Sequence, residues 1–509
     1  MMTHDWKPLF YKYRCNFGSY TDTVLQNSMD TVKPNQLTVQ QPEHLYLRIA
    51  RGIEQQIRDE VLRVGDKLPS IRTICREQGV SMSTATQAYF ELESRSLIES
   101  RPQSGYYVSR SPRKQLAVPQ TSQPPEEATQ ESQEVIIQRV YSNINNSAIV
   151  RLSLGVPADE LLPIAKLNKG LVQAMRELPA SGTAYEEIQG NEKLRRQIAH
   201  RSFTWEGRLS DKDVVTTAGC MSALSFSLMA LTQRGDTIAV ESPVYFAVLQ
   251  LAKSLGLNIL ELPTNPQTGV EMEAFQKALP KVKLAILVSN FNNPIGSCMP
   301  DEHKRQVVQW LQHYHVPLIE DDLYGDVYFS ESRPKSCKTY DESGLVLWCG
   351  SVSKTLAPGY RVGWVAPGRF TEQITRMKLM HSVSSTTLTQ EVIANFLENG
   401  RYENHLRKLR RTLHTNSLQY SRAIADYFPE GTRVSQPQGG FFLWVELDKR
   451  INTVELYNRA LRHGISIAPG RMFTLQNQFD NCMRLSYGLP WNEKLDQTLK
   501  TLGTLAKSI

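Results

Sequence analysis

Residues 345–367 read LVLWCGSVSKTLAPGYRVGWVAP. Two apolar runs flank a polar insert that carries Ser351, Ser353, Lys354 and Arg361. An apolar run without alternation reads as a strand buried on both faces, the mark of a parallel sheet covered by helices. The insert then falls at a strand end, where open α/β sheets bind their ligands. Working outward, 213–219 (DVVTTAG), 237–242 (TIAVES), 284–290 (LAILVSN) and 317–322 (PLIEDD) read the same way, with helical patterns between them. Strand–helix alternation of this kind predicts an α/β domain with a mainly parallel sheet over 148–509. From about residue 400 long helices with a few strands take over, which predicts a smaller C-terminal α+β lobe.

Three further clusters fall at predicted strand ends. They are Gly219, Cys220 and Met221 ahead of a helix, Asn293 in an N-P-I-G turn, and Asp321, Asp322, Leu323 and Tyr324. A helix start offers backbone N–H groups to an anion. A lysine holds an aldehyde as a Schiff base and then serves as a proton shuttle. A carboxylate keeps a pyridine nitrogen protonated, and two hydroxyls with an arginine suit a phosphate dianion. Each feature alone has a bland reading: a solvated lysine, an acidic loop, a plain turn. The ordered set points to an imine-forming cofactor.

Composition agrees with a large folded chain. Of 509 residues 40% are hydrophobic and 21% charged, which excludes whole-chain disorder. The net charge of +7 permits a nucleic-acid partner without demonstrating one. Seven cysteines with no C-x-x-C suggest neither a zinc cluster nor a disulfide framework, so no metal is expected. No apolar run is long enough for a membrane span, and a cytoplasmic protein is expected. Residues 1–41 lack a sustained period and read as a disordered extension. Residues 111–147 are rich in Pro, Ser, Gln and Glu and read as a flexible linker.

Between these lies a compact unit, 42–110. A helical pattern from Leu45 to Val61 is followed by LPSIRTICREQG (68–79), a short helix with Pro69 in its first turn and a stop at Gly79. Ser81 is the expected N-cap of a third helix that buries Ala85, Ala88, Tyr89 and Leu92. LIESR and YYVSR around 102–105 read as a two-stranded wing. This arrangement leaves Met82, Ser83, Thr84 and Gln87 facing out where a recognition helix meets base edges. Gly105 at the wing tip allows close backbone approach, and Arg72 suits a phosphate or a guanine.

LPSIR (68–72), GVSMSTATQAYFELE (79–93) and SGYYV (104–108) resemble the winged helix-turn-helix domain of the GntR family of bacterial regulators. The resemblance implies operator DNA as partner, with Arg72, Ser81, Ser83, Thr84 and Gly105 as contacts. Met82 stands where many members have Arg, so contact with a thymine methyl is expected there instead of a guanine-reading fork. The clusters of the large domain resemble those of class I aminotransferases, the fold type I of pyridoxal-phosphate enzymes. That resemblance implies pyridoxal 5'-phosphate as cofactor, on Lys354, with Asp321 at the pyridine nitrogen. Tyr324 and Asn293 would meet the phenolic oxygen, and Tyr245 the ring face. Cys220, Met221, Ser351, Ser353 and Arg361 would form the phosphate cup. Tyr185 would reach the phosphate of a neighbouring subunit, and Arg484 would bind a substrate carboxylate. Lys354, Asp321 and Tyr324 are the expected catalytic residues.

The pairing of the two domains resembles the MocR subfamily of GntR-type regulators. It implies a pyridoxal-phosphate-dependent transcriptional regulator that senses a small amino compound, and a homodimer. A working aminotransferase tethered to DNA by its winged helix is the alternative, because the residue set for transamination looks complete.

Overall fold

The computed structural model describes residues 44–95, 97–101, 104–109, 116–123, 134–143 and 146–509. The expected extension 1–41 lies outside the described residues. The chain forms two compact units that divide near residue 112.

The first unit holds α1 (Leu45–Arg58), α2 (Ile71–Gln78), α3 (Met82–Ser94), β1 (Ile98–Arg101) and β2 (Gly105–Val108). Ala85, Ala88, Tyr89 and Leu92 of α3 are fully buried against Ile49, Ile53 and Ile74. The short second helix starts at Ile71, two residues after the expected Pro69. Ser70 is its N-cap and accepts from the Thr73 N–H, leaving Pro69 outside. The Pro69 carbonyl instead accepts a 2.7 Å hydrogen bond from the Tyr89 hydroxyl, which ties α2 to α3. β1 and β2 pair antiparallel, and a bridge from Lys67 to Tyr107 extends the wing.

The second unit is built on an eight-stranded sheet. Its order is Val215–Thr217, Gly363–Ala366, Val346–Ser351, Leu318–Asp321, Leu284–Leu287, Thr237–Ser242, Asn258–Asn265 and Gly269–Val270. The strands from Val346–Ser351 to Asn258–Asn265 are parallel, and Gly363–Ala366 runs against its neighbours. Central strands such as Leu284–Leu287 are buried throughout, each leucine or isoleucine side chain contributing about 1.5–3 kcal/mol of transfer free energy. A four-stranded antiparallel sheet, Arg433–Val434, Phe442–Glu446, Cys482–Ser486 and Ala468–Pro469, forms the smaller lobe with helices such as Arg401–Tyr427. Val150–Arg151 pairs with Ile465–Ser466, so both ends of this unit meet at the small lobe. Among the described residues no helix is long and apolar enough to cross a membrane.

The expected flexible linker is corrected over its described parts. Ser122 is buried; its hydroxyl bonds the Ser242 carbonyl at 2.5 Å and accepts the Thr264 N–H at 2.8 Å. The Ala117 carbonyl accepts the Val434 N–H at 2.9 Å, and the Gln120 N–H reaches Glu446. Residues 116–123 therefore touch both sheets. Glu134–Tyr141 forms α4, whose Val140 is buried in the core of the same unit. Polar composition hid backbone hydrogen bonds and a few apolar anchors, Leu116, Ile136, Ile137, Val140 and Tyr141, which together fix the segment.

Candidate functional site

In the first unit Ser81, Met82, Ser83 and Thr84 lie together at the start of α3, with Gln87 one turn on, Arg72 on α2 and Gly105 at the wing tip. Ser81 caps the helix by accepting the Thr84 N–H at 3.1 Å, and its hydroxyl lies 2.7 Å from that of Ser83 and 2.8 Å from that of Thr84. The Ser81 oxygen is thus engaged in capping. Met82, Ser83 and Gln87 are exposed, Met82 at 54%, and Thr84 is half-buried. Arg72 is exposed and makes no ion pair among the described residues. Gly105 has φ 109°, a conformation that a side chain would strain. Sequence reading passed over two wing cations. The Arg101 guanidinium lies 4.2 Å and the Lys67 ammonium 5.8 Å from the Tyr107 ring centre. Arg101 and Tyr107 share one hairpin, a signal open to the sequence, whereas Lys67 joins through a bridge between distant residues.

In the second unit the clusters meet at one end of the large sheet, because parallel strands place all their C-termini together. The helix Cys220–Leu231 starts after Gly219, whose φ is 82°. Its first N–H groups have no intrahelical partners. A Cβ at Gly219 would lie 2.2 Å from an Arg361 nitrogen, so that guanidinium lies against the start of the helix. Arg361 also donates to the Ser353 hydroxyl at 3.3 Å, and the Ser351 and Ser353 hydroxyls are 2.8 Å apart. Arg361 forms no ion pair among the described residues. N–H groups, two hydroxyls and an arginine converge here with no acidic partner, a donor set that suits a phosphate.

The two adjacent aspartates divide their roles. Asp322 accepts from Arg333 at 2.5 Å, the Trp348 indole at 2.8 Å and Asn290 at 2.9 Å. It is saturated and structural. Asp321 accepts the Cys220 thiol at 3.4 Å and the Leu323 N–H at 3.3 Å. Burial pushes its pKa up to about 6, against these weak hydrogen bonds. A carboxylate left this poorly partnered would gain from a cationic N–H donor.

Lys354 is partly buried and donates to the Gly155 carbonyl. Burial, with Arg484 and Arg361 nearby, lowers its pKa from 10.5 to about 8. Tyr324 is buried, and Asn293 donates to its hydroxyl at 3.2 Å. Arg484 is 1% exposed. It donates to Asn293 at 2.7 Å and to the Ser153 carbonyl, and it lies 4.3 Å from the Phe442 ring centre and 4.9 Å from that of Phe473. Its Nε atom has no partner and no carboxylate pairs with it among the described residues. A buried guanidinium without a counter-ion favours an incoming carboxylate. Tyr245 is partly buried at the start of the helix Phe246–Ser254. Tyr185 stands apart, 87% exposed on the surface. Among the described residues no group of His, Cys, Asp or Glu suits a metal ion.

Sequence reading missed Gly155, Ser153, Phe442 and Phe473. Two act through carbonyls, which no residue type announces. The aromatics pack against Arg484 from sequence positions that read as ordinary core.

Residues 147–502 match the family model for aminotransferase class I and II, and residues 45–108 match that for bacterial regulatory proteins of the gntR family. The chain is 36% identical over 466 residues to the uncharacterized HTH-type transcriptional regulator YjiR of Escherichia coli (strain K12), covering 91% of this chain and 97% of that protein. It is 34% identical over 462 residues to YdcR of the same strain, another uncharacterized HTH-type transcriptional regulator, covering 90% and 98%. Among solved structures, the multiple substrate aminotransferase from Thermococcus profundus superposes with a TM-score of 0.68 at 26% identity, over 74% of this chain and 95% of that one. LysN from Thermus thermophilus, an alpha-aminoadipate aminotransferase complexed with N-(5'-phosphopyridoxyl)-L-leucine, gives 0.68 at 25%, over 73% and 94%.

Proposed function

Since the chain belongs to the class I and II aminotransferase family and carries a gntR-family DNA-binding unit ahead of it, as its transcriptional-regulator relatives do, we propose that this regulator holds pyridoxal phosphate on Lys354 and reads an amino compound through it. The observation that carries the reading is the convergence of three under-partnered ionisable groups, Lys354, Asp321 and Arg484, at the strand ends beside an anion-binding helix start. Asp321 would accept from the pyridine nitrogen, and Tyr324 with Asn293 would meet the phenolic oxygen. Tyr245 would cover the ring face. Cys220, Met221, Ser351, Ser353 and Arg361 would hold the phosphate. When bound, the cofactor supplies an aldehyde that takes up amines and a ring that accepts electrons. The chain's own part is to present Lys354 as a neutral amine, to move protons at its Nζ atom and to orient a carboxylate on Arg484.

A homodimer completes the reading. Val172, Met175, Tyr185, Leu379, Met380 and Val383 expose apolar surface that a second copy would cover, and Tyr185 would then serve the partner's phosphate. A cytoplasmic location goes with operator DNA as partner. Because Lys354, Asp321 and Arg484 are all present, slow transamination is compatible with sensing.

The test is an absorbance titration of the purified protein with a panel of amino acids and amines, with and without operator DNA. The reading expects a visible band that amino compounds shift. A colourless protein that takes up no pyridoxal phosphate overturns it. The depressed Lys354 pKa adds a pH signature. At pH 7.5 the neutral fraction rises from about one in a thousand at a pKa of 10.5 to about a quarter at a pKa near 8. Uptake of pyridoxal phosphate by the apo-protein is therefore expected to speed up with pH and level off above about 8. A midpoint near the ordinary lysine value would contradict the environment described for Nζ.

DNA recognition has its own test. Arg72→Ala is expected to weaken operator binding by about 1–3 kcal/mol if the guanidinium reads a guanine. Equal loss on operator and unrelated DNA, with a shallower salt dependence, would assign Arg72 to a phosphate instead.

A further inference from the structure

The helix α4 belongs by sequence to the connection between the units, yet its last residue stands beside the pocket. Tyr141 packs edge-on against Phe246, with ring centres 5.1 Å apart. Phe246 is a hub: Tyr245 lies 4.7 Å from it on one side and Phe473 6.5 Å away on another. Phe473 in turn covers the Arg484 guanidinium at 4.9 Å. The Tyr141 phenol reaches two groups of that pocket: with burial it raises the Tyr245 phenol, whose hydroxyl it meets, and it offsets the burial of Arg484.

The helix is held in this position from several directions. The Arg139 carbonyl accepts the Tyr457 hydroxyl at 3.0 Å, and the Arg139 side chain donates to Asn458 at 3.0 Å. Lys253 pairs with Glu134 at 3.1 Å, and Val140 is 1% exposed. None of these partners belongs to the cofactor-binding set. They serve to deliver Tyr141, a residue with a ring for packing and a hydroxyl for donation.

We propose that Tyr141 is a ligand-binding residue contributed by the connecting segment, and that its hydroxyl donates to the carboxylate of an amino acid seated on Arg484. The assignment rests on the sensing role of the Arg484 pocket. It makes the ligand touch the segment that leads back, through residues 116–123, to the DNA-binding unit. An amine lacking the carboxylate would bind without engaging Tyr141.

The experiment compares wild type with Tyr141→Phe, which keeps the ring and its packing and removes only the hydroxyl. Each holoprotein is titrated with an amino acid that shifts the wild-type visible band, and with the decarboxylated amine of that amino acid. The expected result is a loss of about 10- to 100-fold in affinity for the amino acid, the range for a hydrogen bond to a charged group, with the amine unaffected. Hydrogen exchange adds a second readout. The amino acid should slow exchange over 134–143 in wild type and not in Tyr141→Phe. An unchanged amino-acid affinity, an equal loss for both ligands, or unaltered exchange in wild type would overturn the assignment. These outcomes are distinct from failure of the sensing reading itself, which would show as a wild-type protein without a visible band.

Discussion

Lys354→Ala protein is expected to be colourless after borohydride treatment and dialysis, with no cofactor on any peptide, while still shifting operator DNA. The change removes the Lys354 amine, which follows the strand Val346–Ser351 and lies near Asp321. It leaves Ser351, Ser353 and Arg361 untouched, so a phosphate is still bound, weakly and reversibly. The winged helix is a separate compact unit, so operator affinity should stay within about twofold, the usual limit for independent sites. Any transamination by wild type should fall by about 10²- to 10⁴-fold in the variant, since the proton shuttle is lost with the nitrogen. Effector-dependent transcription should disappear. Two results would contradict the assignment: reduced cofactor found on a different lysine, or a normal transcriptional response without Lys354. Fast multiple turnover by wild type with no change in transcription would move the weight to the enzyme reading.

The parts of the fold that were legible are those where one physical signal dominates. TIAVES is a strand from Thr237 to Ser242 because every residue after the first is buried and Pro243 ends it. The buried stripe of α3 was readable from its spacing, since four apolar residues at one helical face have one reading. The strand Asn258–Asn265 was not readable. Glu261 at its centre looks like a solvent-facing residue, yet it is 2% exposed. It accepts from the Ser242 and Thr474 hydroxyls and the Leu475 N–H, two of these partners being more than two hundred positions away. No local pattern announces such a site.

The same division holds at the pocket. Residue types marked Lys354, Arg361 and the serines. Residue type alone does not say how Asp321 and Asp322 differ; only the resemblance chose Asp321, and the physical reason is that Arg333, Trp348 and Asn290 saturate the second of them. Nor does residue type say that α4 reaches the pocket. EVIIQRVY follows a stretch of Pro, Gln and Glu, and its apolar face of Ile136, Ile137, Val140 and Tyr141 spans only about two turns, too short a signal to outweigh that composition. Connecting segments are the least legible part of this chain, since short apolar faces such as Ile136, Ile137, Val140 and Tyr141, together with hydrogen bonds to the body, hold them in place inside a polar composition.

Arg484 carries the second large effect. Its guanidinium is buried, unpaired with any carboxylate among the described residues, and clamped between Phe442 and Phe473. Burial lowers its pKa, and the phenols of Tyr141, Tyr324 and Tyr245 oppose that shift. A ligand carboxylate would therefore bring the counter-charge that the folded chain lacks. Arg484→Gln is expected to cost about 2–5 kcal/mol in affinity for an amino acid, roughly 30- to several thousand-fold, as removal of one partner from a buried charge pair does. The decarboxylated amine should bind the variant as well as or better than wild type, since it no longer meets an uncompensated cation. Arg484→Lys separates charge from shape. It retains the cation but not the planar fork, and it should recover only part of the loss. Because Arg484 also orients Asn293 at 2.7 Å, and Asn293 donates to Tyr324, the visible band of each variant must be recorded first. A variant with a normal band and an unchanged preference for amino acid over amine would show that the carboxylate sits elsewhere. A collapsed preference with a normal band would place it on Arg484. The larger loss for Arg484→Gln than for Tyr141→Phe would then follow from physics, as one supplies a charge and the other a single neutral donor to the same group.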